Sequence, residues 1–593
     1  MTRRVTSGRI GLTLVGLATA GLLATGSMAP AVADATGQGR TGQFDAPFEG
    51  FMKGSTTLRT SSPEALGLDP APIEAAWAAI DGFAAPTGPG VKPMYASAVG
   101  VMGHQGRIVS EHSTGYSLLY VDGSTKLPEN QQIEAHQKTI YDMASVSKLF
   151  TSIVIMQLVE KGDVDLDATY GSYLPEFANG GKESITIRQM LTHTSGLVSW
   201  LPLWSAYPDK DARINAVMDV PVKNPPGTVY EYSDLNLIAL GVLAEHLTGR
   251  SLDVLVERGI TDPLQMVDTG YNPDPRLKPR IAATEYQTSP DRGMVWGEVH
   301  DENAWSLGGV AGHAGVFSTA GDMSILAQTM LNGGIYGGKR ILSEQSVKAM
   351  ITDENTAFPG DSHGLGFELN QLWYMGGLAA GSTAGHTGYT GTSLVIDFTS
   401  RSFAVLLTNR VHPSRSWGSN NPSRRAIAQG LAASMSVSAQ RGRTEWFSGT
   451  QDAAEHTLSV ALPAGTDRSV SFDVFADLES TDVFALEAST DRGETWSLVP
   501  FTVRFGHGHA HHGRVVETDG TFNNQGNRDW GQAEATLPEG VDSLRWRYTT
   551  DANTQGRGAF VDSVMLRDGR RVVVNGEADR AAFTADGFTE VSR

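Results

Sequence analysis

Apolar runs and polar clusters divide the chain into regions of different kind. Arg3, Arg4 and Arg9 precede an almost wholly apolar run over 10–23. Ala31-Val32-Ala33 then supplies small residues for cleavage, so a secretory signal peptide is expected over 1–33. A membrane anchor is the alternative, but the run is short for a span and no basic stop follows it. Residues 34–61 are rich in Gly, Thr and Ser without an apolar period, and predict a flexible leader. Helical and strand periods then alternate. A helix is predicted over 72–85, and strands over 95–102 and 107–112 around a Gly103-His104-Gln105-Gly106 turn. A helix running to Gly162 is apolar on nearly every side; further helices are predicted over 185–191 and 237–247. Strands over 393–398 and 403–408 and a helix near 425–434 close the region. The order predicts an α+β domain over 62–438. It has an antiparallel sheet flanked by helices and an all-helical subdomain, and the two ends of its chain meet in the sheet.

Beyond about residue 440 the period changes. Short alternating runs such as 469–474 and 544–548 recur between turn residues, which predicts a separate all-β sandwich over 445–593. Residues 489–496 read as a hairpin of Asp-box type, present once, so no propeller follows. Residues 556–562 resemble the last strand of jelly-roll modules attached to secreted hydrolases. A cell-wall polymer is the ligand expected for such a module.

At 593 residues the chain exceeds one core. It has no cysteine, which excludes disulfides, thiol nucleophiles and cysteine-ligated zinc. Forty-six basic against sixty-five acidic residues give a net charge of −19, which disfavours nucleic acid. No stretch after the signal is long and apolar enough to span a bilayer, so a protein secreted or held at the cell wall is expected.

The chemistry concentrates at Ser145 and Lys148, a Ser-x-x-Lys that puts both side chains on one helix face. Ser145 at a helix start would meet free backbone NH groups, and Lys148 on a dry wall could lose its proton and act as its base. By itself the tetrapeptide also fits an ordinary N-cap serine. Two polar clusters follow, Tyr232-Ser233-Asp234 and His386-Thr387-Gly388-Tyr389. With the stretches 187–197 and 312–319, this order resembles the β-lactamase-related serine hydrolases. They include class C β-lactamases, penicillin-binding proteins, D-alanyl-D-alanine carboxypeptidases and some esterases.

The resemblance implies a β-lactamase/transpeptidase-like fold and acyl transfer, with no metal or organic cofactor. It implies Ser145 as nucleophile and Lys148 and Tyr232 as proton relays. The backbone NH groups of Ser145 and Tyr389 would form the oxyanion hole, and His386, Thr387, Gly388 and Tyr389 would bind substrate. Asp234 stands where the family commonly has Asn. An aspartate would keep Lys148 charged, which makes Tyr232, as a phenolate, the expected base. His386 stands where β-lactamases carry lysine, as in the carboxypeptidase branch, and is expected to titrate near neutrality and read a substrate carboxylate.

Several side features have their own expectations. His193 and His313 are expected as hydrogen-bonded structural residues. Trp200, Leu203 and Trp204 fit either an acceptor pocket or core. Asp551 and Asp562 are a weak calcium candidate, and the histidine-rich run 506–512 reads as an exposed loop. The implied function is hydrolysis of an amide or ester through an acyl-enzyme, with cell-wall D-alanyl-D-alanine or D-amino-acid peptides first. Esters and β-lactams are alternatives. A non-catalytic wall-binding or penicillin-sensing protein is the reading from another class. All the motifs lie before Gln440, so residues 34–440 are expected to be sufficient for catalysis.

Overall fold

The continuous apolar runs become central strands. The computed structural model describes residues 39–592 except 86–87, 89–90, 464 and 507–512, so the expected signal peptide and the histidines of the 506–512 run lie outside the described residues. The sheet contains β1 (Arg59–Thr60), β2 (Ser97–His104), β3 (Arg107–Leu118), β4 (Glu368–Leu369), β5 (Thr383–Thr387), β6 (Ser393–Asp397) and β7 (Ser402–Thr408). Their spatial order is β1-β3-β2-β7-β6-β5-β4. All neighbours are antiparallel except β1 with β3. β2 pairs with β7 from Ser402↔His104 to Thr408↔Ala98, so the early and late parts of the domain do meet in one sheet. Every residue of both strands is buried, as continuous apolar runs covered on two faces require.

Helices α1 (Pro70–Ala84) and α5 (Asn421–Ser434) cover one face, and α4 (Ala320–Leu331) the other. Between the sheet's halves, α2 (Ser147–Lys161) packs against α3 (Asp234–Thr248) among the middle helices. Eleven of the fifteen α2 residues are buried, which explains why its sequence lacks a polar face. Gly162 ends it at φ 79°, a left-handed conformation that costs glycine little. Among the described residues no helix is long and apolar enough to cross a membrane.

The flexible leader expected over 34–61 is corrected from residue 39 on. Phe44 is buried, and the amides of Phe44, Phe48 and Met52 donate to the carbonyls of Ser436, Thr399 and Leu331. β1 then joins the sheet. Isolated apolar side chains anchor this stretch, which gives no period for sequence reading to detect.

The C-terminal region is all β. An eight-stranded and a six-stranded sheet bury Phe472, Leu486, Trp546 and Val561 between them. Strand Gly558–Asp568 is not the last strand, as its jelly-roll likeness suggested: it lies inside its sheet, and Arg571–Asn575, Phe583–Asp586 and Thr589–Val591 follow it. This region shares a core with the first: Phe475 and Phe560 pack with Phe44, Ile73 and Leu431. Arg528 Nη1 lies 2.6 Å from Asp397 Oδ2 at the end of β6, and both side chains are fully buried. Arg528 Nη2 donates to the Leu378 carbonyl at 2.7 Å, and the guanidinium stacks 4.2 Å from the Phe44 ring centre.

Candidate active site

Ala144–Val146 forms one 3-10 turn ahead of α2, so Ser145 sits at the entrance to the helix rather than in its first turn. Ala144 has φ 46°, a conformation non-glycine residues avoid, and its amide is held by Asp142 Oδ1 at 2.8 Å. Residues on both sides of Ser145 are buried while Ser145 itself is partly open.

Lys148, one turn further, is 1% exposed and donates to Ser145 Oγ at 2.9 Å and to the His313 carbonyl at 3.2 Å. Asp234 Oδ1 lies 2.7 Å from its Nζ. The ammonium and the carboxylate meet there directly as an ion pair. Burial alone would push the ammonium towards neutrality. The carboxylate of Asp234 and the nearby Tyr232 outweigh it and hold the Lys148 pKa above its usual value. Tyr232 lies with its ring centre 4.8 Å from Lys148 Nζ. Burial raises its pKa more than Lys148 lowers it, up to about 12. This direction runs against the expected Tyr232 phenolate: the cation is present, but desolvation of the phenol outweighs it.

β5 runs along the other wall. A Cβ on Gly388 would stand 2.3 Å from the Met143 carbonyl oxygen, so only glycine lets this segment come so close to the turn bearing Ser145. Ser145, Tyr232, Thr387, Gly388 and Tyr389 line one cavity of about 280 Å³. His386 does not line it. The ring is buried, Nδ1 lies 2.8 Å from the Thr387 carbonyl, and Nε2 has no hydrogen-bond partner. Burial, with Lys148 adding to it, pushes the His386 pKa down to about 3, so the imidazole is neutral at any working pH. The expected titration near neutrality is corrected, because the chain wraps the ring away from water.

The cavity gains residues that the motifs do not contain: Glu368 on β4, Arg410, Asn420 and Arg424. Arg424, on α5, donates through Nη2 to the Gly388 carbonyl at 2.5 Å. Burial lowers its pKa to about 10, which still leaves it charged at neutral pH. Arg410 lies with its guanidinium carbon 4.5 Å from the Tyr389 ring centre. Glu368, Arg410 and Arg424 come from separate parts of the chain, so no local spacing marks them.

His193 and His313 are buried and partnered. His193 Nδ1 accepts from the Ser233 amide at 3.1 Å, and His313 Nε2 lies 2.9 Å from Asp301 Oδ1. Leu203 is core and Trp200 is 47% exposed, while neither these nor Trp204 line the cavity. Asp551 gathers with Glu479 and Asp482, their oxygens within 4.8 Å of one another. Asp562 is buried elsewhere and accepts from the Arg441 amide at 2.8 Å.

A serine, a lysine and a tyrosine gathered beside one cleft, framed by an antiparallel sheet and a helical region, suit acyl transfer through the serine. The Beta-lactamase family model matches residues 95–429, more than half of the chain, and the chain belongs to that family of serine hydrolases. A relative from Escherichia coli K12, provisionally named a D-alanyl-D-alanine carboxypeptidase, is 35% identical over 353 residues, covering 53% of this chain and 79% of its own length. One from Salmonella schwarzengrund with the same provisional name is 35% identical over 341 residues, covering 51% and 76%. Among solved structures, a penicillin-binding protein homologue from Caulobacter crescentus is 19% identical with a TM-score of 0.49, covering 62% of this chain and 99% of that one. A family VIII carboxylesterase is 19% identical with a TM-score of 0.47, covering 61% and 96%.

Proposed function

We propose that this protein acts outside the cell on cell-wall peptides, as a D-alanyl-D-alanine carboxypeptidase-like or D-amino-acid peptidase working through an acyl-enzyme on Ser145. The observation that carries the reading is the shared cavity, which holds Ser145 together with the Arg410 and Arg424 guanidiniums. Two permanent cations beside a nucleophile suit a substrate that ends in a carboxylate. The role expected of His386 passes to these arginines.

In the acylation step Ser145 Oγ attacks the scissile carbonyl carbon. Its proton moves to Lys148 Nζ at 2.9 Å as Lys148 passes one to Asp234 Oδ1 at 2.7 Å, so the pair gains one positive charge that balances the oxyanion formed on the substrate. Tyr232, protonated at rest, donates to the leaving amine and is reprotonated from Lys148. The carbonyl oxygen turns towards the backbone NH groups of Ser145 and Tyr389. Water attacks the ester by the reverse proton path. An ester substrate would follow the same steps without needing the arginines.

The test is kcat/KM from pH 5 to 9 for a peptide ending in D-Ala-D-Ala and for a neutral acyl ester, in the wild type and in Arg410→Gln. The peptide and ester profiles are expected to run parallel in the wild type, because the arginines do not titrate in this range. Arg410→Gln is expected to raise KM for the peptide about tenfold and to leave the ester within about twofold. Turnover of the ester with none of the peptide would assign the protein to the esterases.

A further inference from the structure

The two amides that would face the oxyanion belong to segments far apart in the chain, and one buried residue is bonded to both segments. Asp142 ends the short strand Tyr141–Asp142, which pairs with Val316–Ser318, and is 2% exposed. Its carboxylate accepts from the Ala144 amide through Oδ1 at 2.8 Å and from the His300 amide through Oδ2 at 2.6 Å. Its backbone carbonyl accepts from the Thr390 hydroxyl at 2.7 Å. Ala144, the residue before the nucleophile, stands at φ 46°. A residue with a Cβ leaves that region unless something holds it there, and the peptide bearing the Ser145 amide would turn with it.

Tyr389 carries the other amide. Its side chain is 49% exposed, so its own burial does not fix the segment. Two of its anchors run back to Asp142. Thr390, the next residue, is 1% exposed and gives the hydroxyl bond to the Asp142 carbonyl. The ring of His300 stacks on the Tyr389 ring, with centres 5.9 Å apart and planes at 21°, while Glu285 Oε2 holds its other edge at 3.0 Å from Nε2. We propose that Asp142 is a positioning residue for the oxyanion hole, setting the Ser145 and Tyr389 amides in the directions a tetrahedral intermediate needs. It does not line the cavity itself. The inference rests on the reading of these two amides as the oxyanion hole of an acyl-transfer site, and adds the group that holds them. A carboxylate suits this place because its two oxygens accept two amides at once, whereas an Asn side chain has one acceptor and would turn an NH2 towards the other NH.

The test compares Asp142→Asn, Asp142→Asn combined with Ala144→Gly, and Thr390→Val with the wild type. The measurements are kcat and KM on a neutral acyl ester, and Ki for a boronic acid, whose adduct on a serine is a tetrahedral anion. Asp142→Asn is expected to lower kcat about a hundredfold and to weaken the boronic acid by a similar factor, with KM within about threefold. Adding Ala144→Gly should recover about tenfold, because glycine takes a left-handed φ at little cost. Thr390→Val keeps the volume and removes the hydroxyl, and should lower kcat about tenfold through the Tyr389 side. A kcat within about twofold of wild type in folded Asp142→Asn, or in Thr390→Val, would overturn the proposal. So would a loss of kcat without loss of boronic acid affinity, or one that Ala144→Gly leaves unchanged. Circular dichroism reports folding, and if Asp142→Asn does not fold, Thr390→Val carries the decision. A wild type that neither turns over the ester nor binds the boronic acid would instead fail the acyl-transfer reading itself.

Discussion

Lys148→Ala is expected to lower kcat by about a thousandfold or more, on esters and peptides alike, with KM little changed. Lys148 meets Ser145 Oγ and the Asp234 carboxylate at once. Without it the serine proton has no path into the buried pair, and the protonated Tyr232 cannot accept it. The loss should fall on the chemical step because Lys148 does not line the substrate cavity. Lys148→Arg should not restore the rate, since a guanidinium does not give up a proton near neutrality. Steady-state and single-turnover kinetics on an acyl ester measure this. A loss below tenfold would remove Lys148 from the proton path.

The second large effect lies far from the cleft. Arg528→Leu is expected to destabilise the protein by about 3–5 kcal/mol, because it leaves the buried Asp397 without its counter-charge. Asp397 is 0% exposed, and its remaining partners are the Thr399 and Ser400 hydroxyls, the Thr399 amide and a long 3.4 Å contact from Thr383. The double variant Arg528→Leu with Asp397→Leu should recover part of that loss, since removing both charges also removes their desolvation. Urea denaturation read by tryptophan fluorescence provides the measurement. A single variant within 1 kcal/mol of wild type would show that the pair is not sealed from water. The same interface changes the expectation for a protein cut at residue 440. Such a truncation would expose Phe44 and Leu431, which pack against Phe475 and Phe560, and would strand Asp397, so residues 34–440 are not expected to form a stable active unit.

Much of the catalytic region was legible in the sequence because its signals are local. Continuous apolar runs marked β2, β6 and β7, the all-round apolar helix marked α2, and the ordered Ser-x-x-Lys, Tyr-Ser-Asp and His-Thr-Gly stretches marked the residues that converge near Ser145. What escaped was set by neighbours distant in sequence. Phe44 sits in a stretch of Gly, Thr and Ser that looks flexible, yet it plugs a core built from three parts of the chain. Arg528 lies between turn residues of the sandwich, and nothing near it indicates a buried partner 131 positions away. Glu368, Arg410 and Arg424 reach the cavity from different parts of the chain, so only folding brings them together. The pKa directions of Tyr232 and His386 depart from those expected for one reason. The sequence shows which charges are near, but the depth of burial decides whether desolvation outweighs them.

The central claim, an acyl-enzyme on Ser145, is tested most directly by intact-mass analysis of the protein after reaction with a fluorophosphonate or a penicillin, followed by peptide mapping. One adduct per chain is predicted, on Ser145, and none in Ser145→Ala. An adduct that persists in Ser145→Ala, or that maps to another residue of the wild type, would contradict the account.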